Sequence, residues 1–240
     1  MTEPVKLEQT MYLYGQSIIV QNFMPVSECN ALMQYMERFG NFEGSRTGGA
    51  EEDLKKIKNP KERERREKES KNSNIRQCEV AWIESTGNPQ DFTTNVTNMC
   101  HNHMTSLAQS SFGCDVHRIE PLQYTKYTFD EDNEVKDHYD WHMDSYLQTR
   151  PTPFDRKVSM SIQVSSPDDY DGCGLEFQTH QILCDILGNE VASDKEVIYN
   201  MMKQQGTAVF FPSICSHRVT PITRGQRIAL VGWLQGPRWR

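Results

Sequence analysis

The chain has 240 residues, with 26 Lys and Arg against 33 Asp and Glu, a formal net charge of −7, and 36% hydrophobic residues. Excess acid argues against a nucleic-acid binder, which neutralises phosphate with surplus Lys and Arg. The longest apolar run, Ile228–Leu234, falls well short of the roughly 18 residues expected of a membrane-spanning helix.

The opening MTEPVKLEQT lacks a basic start followed by an apolar stretch, so a cytoplasmic protein is expected. The seven cysteines are odd in number, widely spaced and free of any CxxC pair, which reads as buried, reduced thiols. Tyr12–Phe23 (YLYGQSIIVQNF) is rich in β-branched and aromatic residues and predicts a strand. Ser27 is a natural N-cap for a helix carrying Cys29, Leu32, Met33, Met36 and Phe39 at helical spacing, and Gly40 ends it. Asn41–Asn74 is glycine-rich and then densely charged. It reads as a solvated insertion, because its acids interleave with its bases. Cys78–Glu84 predicts a strand, and Thr94–Phe112 a second helix with Val96, Met99, Cys100, His103, Met104 and Leu107 on one face. His101 and His103 point about 200° apart on that helix, a poor arrangement for one metal ion.

Beyond Gly113 the pattern changes to short strands punctuated by Gly, Pro, Asn and Asp. They are expected at Arg118–Thr128, Tyr139–Asp144, Lys157–Ser165, Gly174–Gln178, Gly206–Phe211, His217–Pro221 and Arg227–Leu234. Asp185–Gln205 interrupts them as a second, partly helical insertion. So many short strands after two helices predict an α+β, mainly β chain: a jelly roll with supporting helices over one sheet. A single domain over 1–240 is expected, with helical support at 12–113, the insertion at 41–74 and the jelly-roll core at 114–235.

The segment DHYDWHMDSY contains two His-x-Asp pairs, His138/Asp140 and His142/Asp144. Residues two apart on a strand share a face, so an imidazole and a carboxylate of either pair can converge on one ion. Further on, His217 follows FFPSICS, and Arg227 lies ten residues after it. If these regions occupy neighbouring strands, two histidines and an aspartate form a facial triad suited to non-haem Fe(II). A buried Arg227 would need an anionic partner such as a dicarboxylate's far end.

The order His-x-Asp, distal His, then Arg resembles the Fe(II)/2-oxoglutarate-dependent dioxygenases of the prolyl 4-hydroxylase-like superfamily, and within it the PKHD-type hydroxylases. PDDYDGCGLEF, HRVTPITRGQRIAL with Trp233, and RKVSMSIQVSSP resemble further family segments, tightly from about Tyr124 to Trp233. The resemblance implies a double-stranded β-helix core, with Fe(II) on His142, Asp144 and His217. It also implies 2-oxoglutarate on Arg227 and Tyr124, with Tyr127 the rival tyrosine, and ascorbate as a candidate reductant. It favours His142/Asp144 over His138/Asp140, since Trp141 precedes and Ser145 follows. The implied activity is hydroxylation of a peptidyl or free amino-acid residue, with release of succinate and CO2. The implied partner is that substrate, with neither membrane nor nucleic acid involved. A cupin-type metal enzyme that does not use 2-oxoglutarate, or a non-catalytic metal-binding module, is the alternative.

Overall fold

The computed structural model describes residues 10–14, 16–44, 60–61, 75–132, 136–147, 153–179 and 189–239. In chain order the strands are β1 (Thr10–Tyr14), β2 (Ser17–Gln21), β3 (Glu43–Gly44), β4 (Arg76–Gln77), β5 (Glu79–Ile83), β6 (Arg118–Ile119) and β7 (Leu122–Thr128). They continue with β8 (His138–His142), β9 (Phe154–Gln163), β10 (Tyr170–Gly172), β11 (Leu175–Phe177), β12 (Ala208–Pro212), β13 (His217–Val219) and β14 (Ile222–Pro237). The helices are α1 (Val26–Phe39), α2 (Phe92–Ser110) and α3 (Asn189–Lys203).

The major sheet runs β1-β2-β12-β9-β14-β7-β5-β3, with β6 and β10 also pairing β14. The minor sheet runs β11-β13-β8-β4. From β7 to β9, and again from β11 to β14, consecutive strands alternate between the sheets, and the paired strands are antiparallel. This is the jelly roll that the strand pattern predicts.

Strand alternation assigns the two faces of the major sheet to two cores. Along β9, Val158, Met160 and Ile162 join Leu32 and Met36 of α1 and Val96, Cys100 and Met104 of α2 in one buried cluster. Each such side chain, fully buried, contributes about 1.5–3 kcal/mol. The intervening Ser159, Ser161 and Gln163 face the space between the sheets, where Ile19, Tyr127, Val209 and Phe211 meet Leu175, Phe177 and Val219. That inter-sheet space contains the polar groups that matter below.

Several local expectations are corrected. Tyr12–Phe23 is not one strand: β1 and β2 pair antiparallel with Tyr14 opposite Ser17, so the run folds back on itself. Ser27 is not the N-cap. Pro25 takes that position, and its carbonyl accepts from the amides of Glu28 and Cys29, leaving Ser27 within the first turn. Phe39 is 62% exposed rather than core-facing. β6 and β7 split the predicted Arg118–Thr128 strand at Pro121, which lacks a ladder N–H. Gly225 stands at φ +68 opposite Tyr170, and a Cβ there would collide with the Asp169 carbonyl. The charged insertion lies outside the described residues except at 41–44 and 60–61. Of the second insertion, α3 is described. Among the described residues six cysteines are unpaired, and no helix is long and apolar enough to cross a membrane.

Candidate metal centre

His142 ends β8, Asp144 follows it, and His217 opens β13. The two histidines are cross-strand register partners. A register shift separates this pair from Val219–Tyr139, so two residues of β8, Asp140 and Trp141, oppose one of β13, Arg218. That bulge reverses the alternation. His142 thus lies with the Tyr139 ring, stacked at 3.4 Å and 11°, while Asp140 is exposed.

Among the described residues, His142, Asp144 and His217 are the cluster whose ligand atoms converge, all within 4.8 Å of one another. His142 Nε2 lies 3.7 Å from Asp144 Oδ1, and His217 Nε2 lies 3.6 Å from Asp144 Oδ2. His138 is not in this cluster; its Nδ1 donates to the Lys136 carbonyl.

Both site imidazoles are held the same way. His142 Nδ1 meets the Asp140 carbonyl at 2.7 Å, and His217 Nδ1 meets the Cys215 carbonyl at 2.9 Å. A carbonyl only accepts, so each Nδ1 carries the proton and each Nε2 offers its lone pair. Burial, followed by the neighbouring His217, pushes His142 down to about 3, so its ring is neutral at neutral pH. Burial pushes the Asp144 carboxyl up. His217, His142, Arg156 and the Ser159 hydrogen bond outweigh it and bring the group down to about 2.

Asp144 is also fixed from behind. Ser159 Oγ donates to Oδ2 at 2.7 Å and lies 2.8 Å from Ser213 Oγ, while the Ser213 carbonyl accepts from the amides of Asp144 and Ser145. Ser159 and Ser213 are both fully buried. Two imidazoles and one carboxylate gathered on one side fit a facial iron triad, which leaves the other coordination positions open.

Arg227 projects from β14 into the inter-sheet space and is 5% exposed. Its Nε donates to Gln163 Oε1 at 3.0 Å, and its Cζ lies 5.7 Å from the Tyr127 ring. Tyr170 and Cys173 are its other neighbours. Among the described residues no carboxylate forms an ion pair with it. It lines a cavity with Ser161, Gln163, Tyr170, Cys173 and Tyr199. A buried cation whose protein partners are neutral suits an anionic ligand.

Tyr124 is placed elsewhere. It shares the helix-facing side of β7 with Leu122, lies 6.0 Å from the Phe42 ring, and its hydroxyl has no hydrogen-bond partner among the described residues. Tyr127, three residues on, falls on the opposite face beside Arg227. The sequence reading had missed Ser159 and Gln163, although their alternation with Val158, Met160 and Ile162 already put them on the inner face.

Residues 122–235 match the model of the 2OG-Fe(II) oxygenase superfamily, a span that contains the triad and Arg227. This segment belongs to that superfamily. The oxygenase segment also aligns with curated relatives. A PKHD-type hydroxylase of Shewanella frigidimarina is 30% identical over 50% of this chain and 45% of its own length. One of Teredinibacter turnerae is 33% identical over 40% of this chain and 37% of its own. The chain thus spans less than half the length of these relatives. In fold it is similar to a Pseudomonas putida prolyl-4-hydroxylase (TM-score 0.57, 17% identity, 92% of this chain and 93% of that one). It is also similar to a viral collagen prolyl hydroxylase from Paramecium Bursaria Chlorella virus-1 (TM-score 0.55, 14% identity, 92% and 96%).

Proposed function

We propose that the chain is an Fe(II)- and 2-oxoglutarate-dependent dioxygenase that hydroxylates a C–H bond of a peptidyl or free amino-acid residue, releasing succinate and CO2. The observation that carries this reading is the convergence of His142, Asp144 and His217 as two lone-pair imidazoles and one carboxylate. His142, Asp144 and His217 would hold the iron. Arg227, steadied by Gln163, would take the distal carboxylate of 2-oxoglutarate, with Tyr127 rather than Tyr124 beside it. When bound, iron and 2-oxoglutarate supply the O2-dependent oxidation. The protein's own contributions are the fixed Nε2 lone pairs, the oriented Asp144 carboxylate and a buried cation for the cosubstrate. The Tyr139 ring also shields one face of His142 from water.

An amino-acid or peptidyl substrate is supported by analogy. The relatives are named PKHD-type hydroxylases, and one solved neighbour, from Trichoplax adhaerens, is a prolyl hydroxylase in complex with a peptide fragment of hypoxia inducible factor. Ascorbate as reductant and a cytoplasmic setting belong to the same proposal; unpaired cysteines fit a reducing compartment. Anaerobic addition of Fe(II) and then 2-oxoglutarate should produce a visible charge-transfer absorption, and admitting O2 should yield succinate. Absence of both would overturn the proposal.

A further inference from the structure

Apart from Arg227, a second arginine reaching between the sheets has no carboxylate partner among the described residues. Arg76 lies on β4 opposite Tyr139 of β8. Its Nη2 donates to Gln123 Oε1 on β7 at 2.7 Å, the Cys78 thiol lies beside the guanidinium, and its Nε is buried with no hydrogen-bond partner among the described residues. Its Cζ lies 4.6 Å from the centre of the Tyr139 ring. One face of that ring is occupied by His142, stacked at 3.4 Å. The guanidinium packs against the same ring. Arg76, Tyr139 and the metal-site imidazole therefore form one cluster, with the Tyr139 ring in contact with both of the others.

Two other arginines, the well-covered Arg156 and the partly exposed Arg218, show what this position lacks. Arg156 is met by both oxygens of Glu120 at 2.8 and 2.6 Å, and Arg218 by Glu176 at 2.8 and 2.7 Å. Arg76 and Arg227 instead each hold a glutamine oxygen and lie by a tyrosine ring. A neutral amide offsets little of the cost of burying a cation, whereas a carboxylate offsets much more and matches the guanidinium fork. One dicarboxylate cosubstrate satisfies one of the two arginines at its far end. The other is left for the second reactant.

We propose that Arg76 is a carboxylate-binding residue for the substrate, so that the compound hydroxylated carries a carboxylate held beside Tyr139, the ring that stacks on His142. This rests on the oxygenase reading of the triad. The carboxylate comes either from a free amino acid or from a peptide, as an acidic side chain or a chain terminus.

Binding to the Ni(II)-loaded chain with 2-oxoglutarate, measured by calorimetry without turnover, tests this. One arm compares the standard free L-amino acids with their carboxamides. The other compares N-acetylated peptides bearing Asp, Glu or a free C terminus with their Asn, Gln or amidated counterparts. At least one carboxylate probe should bind about tenfold or more tighter than its amide. Arg76→Gln should erase that preference and leave 2-oxoglutarate affinity unchanged, and Arg76→Lys should restore part of it. The arm in which the preference appears identifies the source.

Equal binding of acid and amide, or no binding of any acid, overturns the proposal. So does an Arg76→Gln variant that loses 2-oxoglutarate affinity instead, because Arg76 would then serve the cosubstrate. If Arg76→Gln does not fold, the acid-to-amide ratio of the unmodified chain decides alone. Failure of 2-oxoglutarate itself to bind the Ni(II)-loaded chain sinks the oxygenase reading separately.

Discussion

His142 and His217 face each other as register partners across the antiparallel β8–β13 pair, with ring centres 4.1 Å apart. Each ring is tied by Nδ1 to the carbonyl two residues before it. Burial, and then the nearness of His217, disfavours a proton on His142, since two protonated imidazoles this close would repel. A ring without that proton is the form that binds a divalent cation. Asp144→Ala should therefore abolish detectable Fe(II) binding and 2-oxoglutarate turnover. His142→Ala should do the same, while His138→Ala leaves both within about twofold, since His138 lies outside the converging cluster. An inactive His138→Ala beside an active His142→Ala would reverse the assignment of the His-x-Asp pair.

Ser159 is the residue through which the sheet orients Asp144. Its hydroxyl contacts the carboxylate oxygen nearer His217 and leaves Oδ1 toward His142. Ser159→Ala should weaken Co(II) or Fe(II) affinity about 10–100-fold without unfolding the chain. Ser159→Thr keeps the hydroxyl and should recover most of it. Unchanged metal affinity in the alanine variant would show that Ser213 and the backbone suffice.

The chain pattern makes much of this legible. Alternation along Lys157–Gln163 separates helix-facing from inward residues, and the His-x-Asp pair with His217 anticipates the cluster of converging side chains. Two features were not legible for definite reasons. Pure alternation puts His138, Asp140 and His142 on one face. Only the bulge on β8, an extra residue with no local sequence marker, separates them. Tyr124 and Tyr127 are both aromatic residues of one strand, and choosing between them needs the register to β14, where Arg227 pairs Tyr127. Arg76 stands on the two-residue β4, and nothing local in the sequence shows that so short a strand joins the sheet that carries His142 and His217.

The tyrosines give a direct comparison. Tyr124→Phe removes a buried hydroxyl with no partner, so stability should change by less than about 1 kcal/mol and 2-oxoglutarate affinity not at all. Tyr127→Phe should weaken 2-oxoglutarate binding about tenfold. Arg227→Ala should cost about 2–5 kcal/mol of binding, as expected on removing one partner of a buried charge pair. Normal 2-oxoglutarate affinity in Arg227→Ala would take that residue out of the role.

Gly174 marks where α3 meets the Arg227 cavity. A Cβ there would collide with the Tyr199 ring, whose hydroxyl donates to the Gly172 carbonyl at 3.0 Å. Gly174→Ala should push Tyr199 from the cavity wall and reduce 2-oxoglutarate affinity several-fold, with metal affinity intact, for an overpacking cost of about 1–3 kcal/mol. Adding Tyr199→Ala removes the clash, so the double variant should lose less than the sum of the single changes. Additive losses would mean the two residues act independently.

The metal-free protein should lose stability as pH falls, and the sign follows from both shifted groups. An unfolded imidazole titrates near pH 6.5, whereas folded His142 titrates at about 3. Between those values the unfolded chain binds more protons, so stability rises with pH and is lost on acidification. Asp144 acts in the same direction over a lower window. Its stabilisation is complete above 3.8 and disappears as pH falls through about 2. With chelator present, the unfolding midpoint should therefore drop steadily from pH 7 to pH 5, where His142 alone of the two contributes. His142→Asn should flatten that slope, and saturating Ni(II) should raise the midpoint most at the alkaline end, because protons compete with the metal for Nε2. A midpoint independent of pH in the unmodified chain, or an unchanged slope in His142→Asn, would mean that another group controls the acid transition.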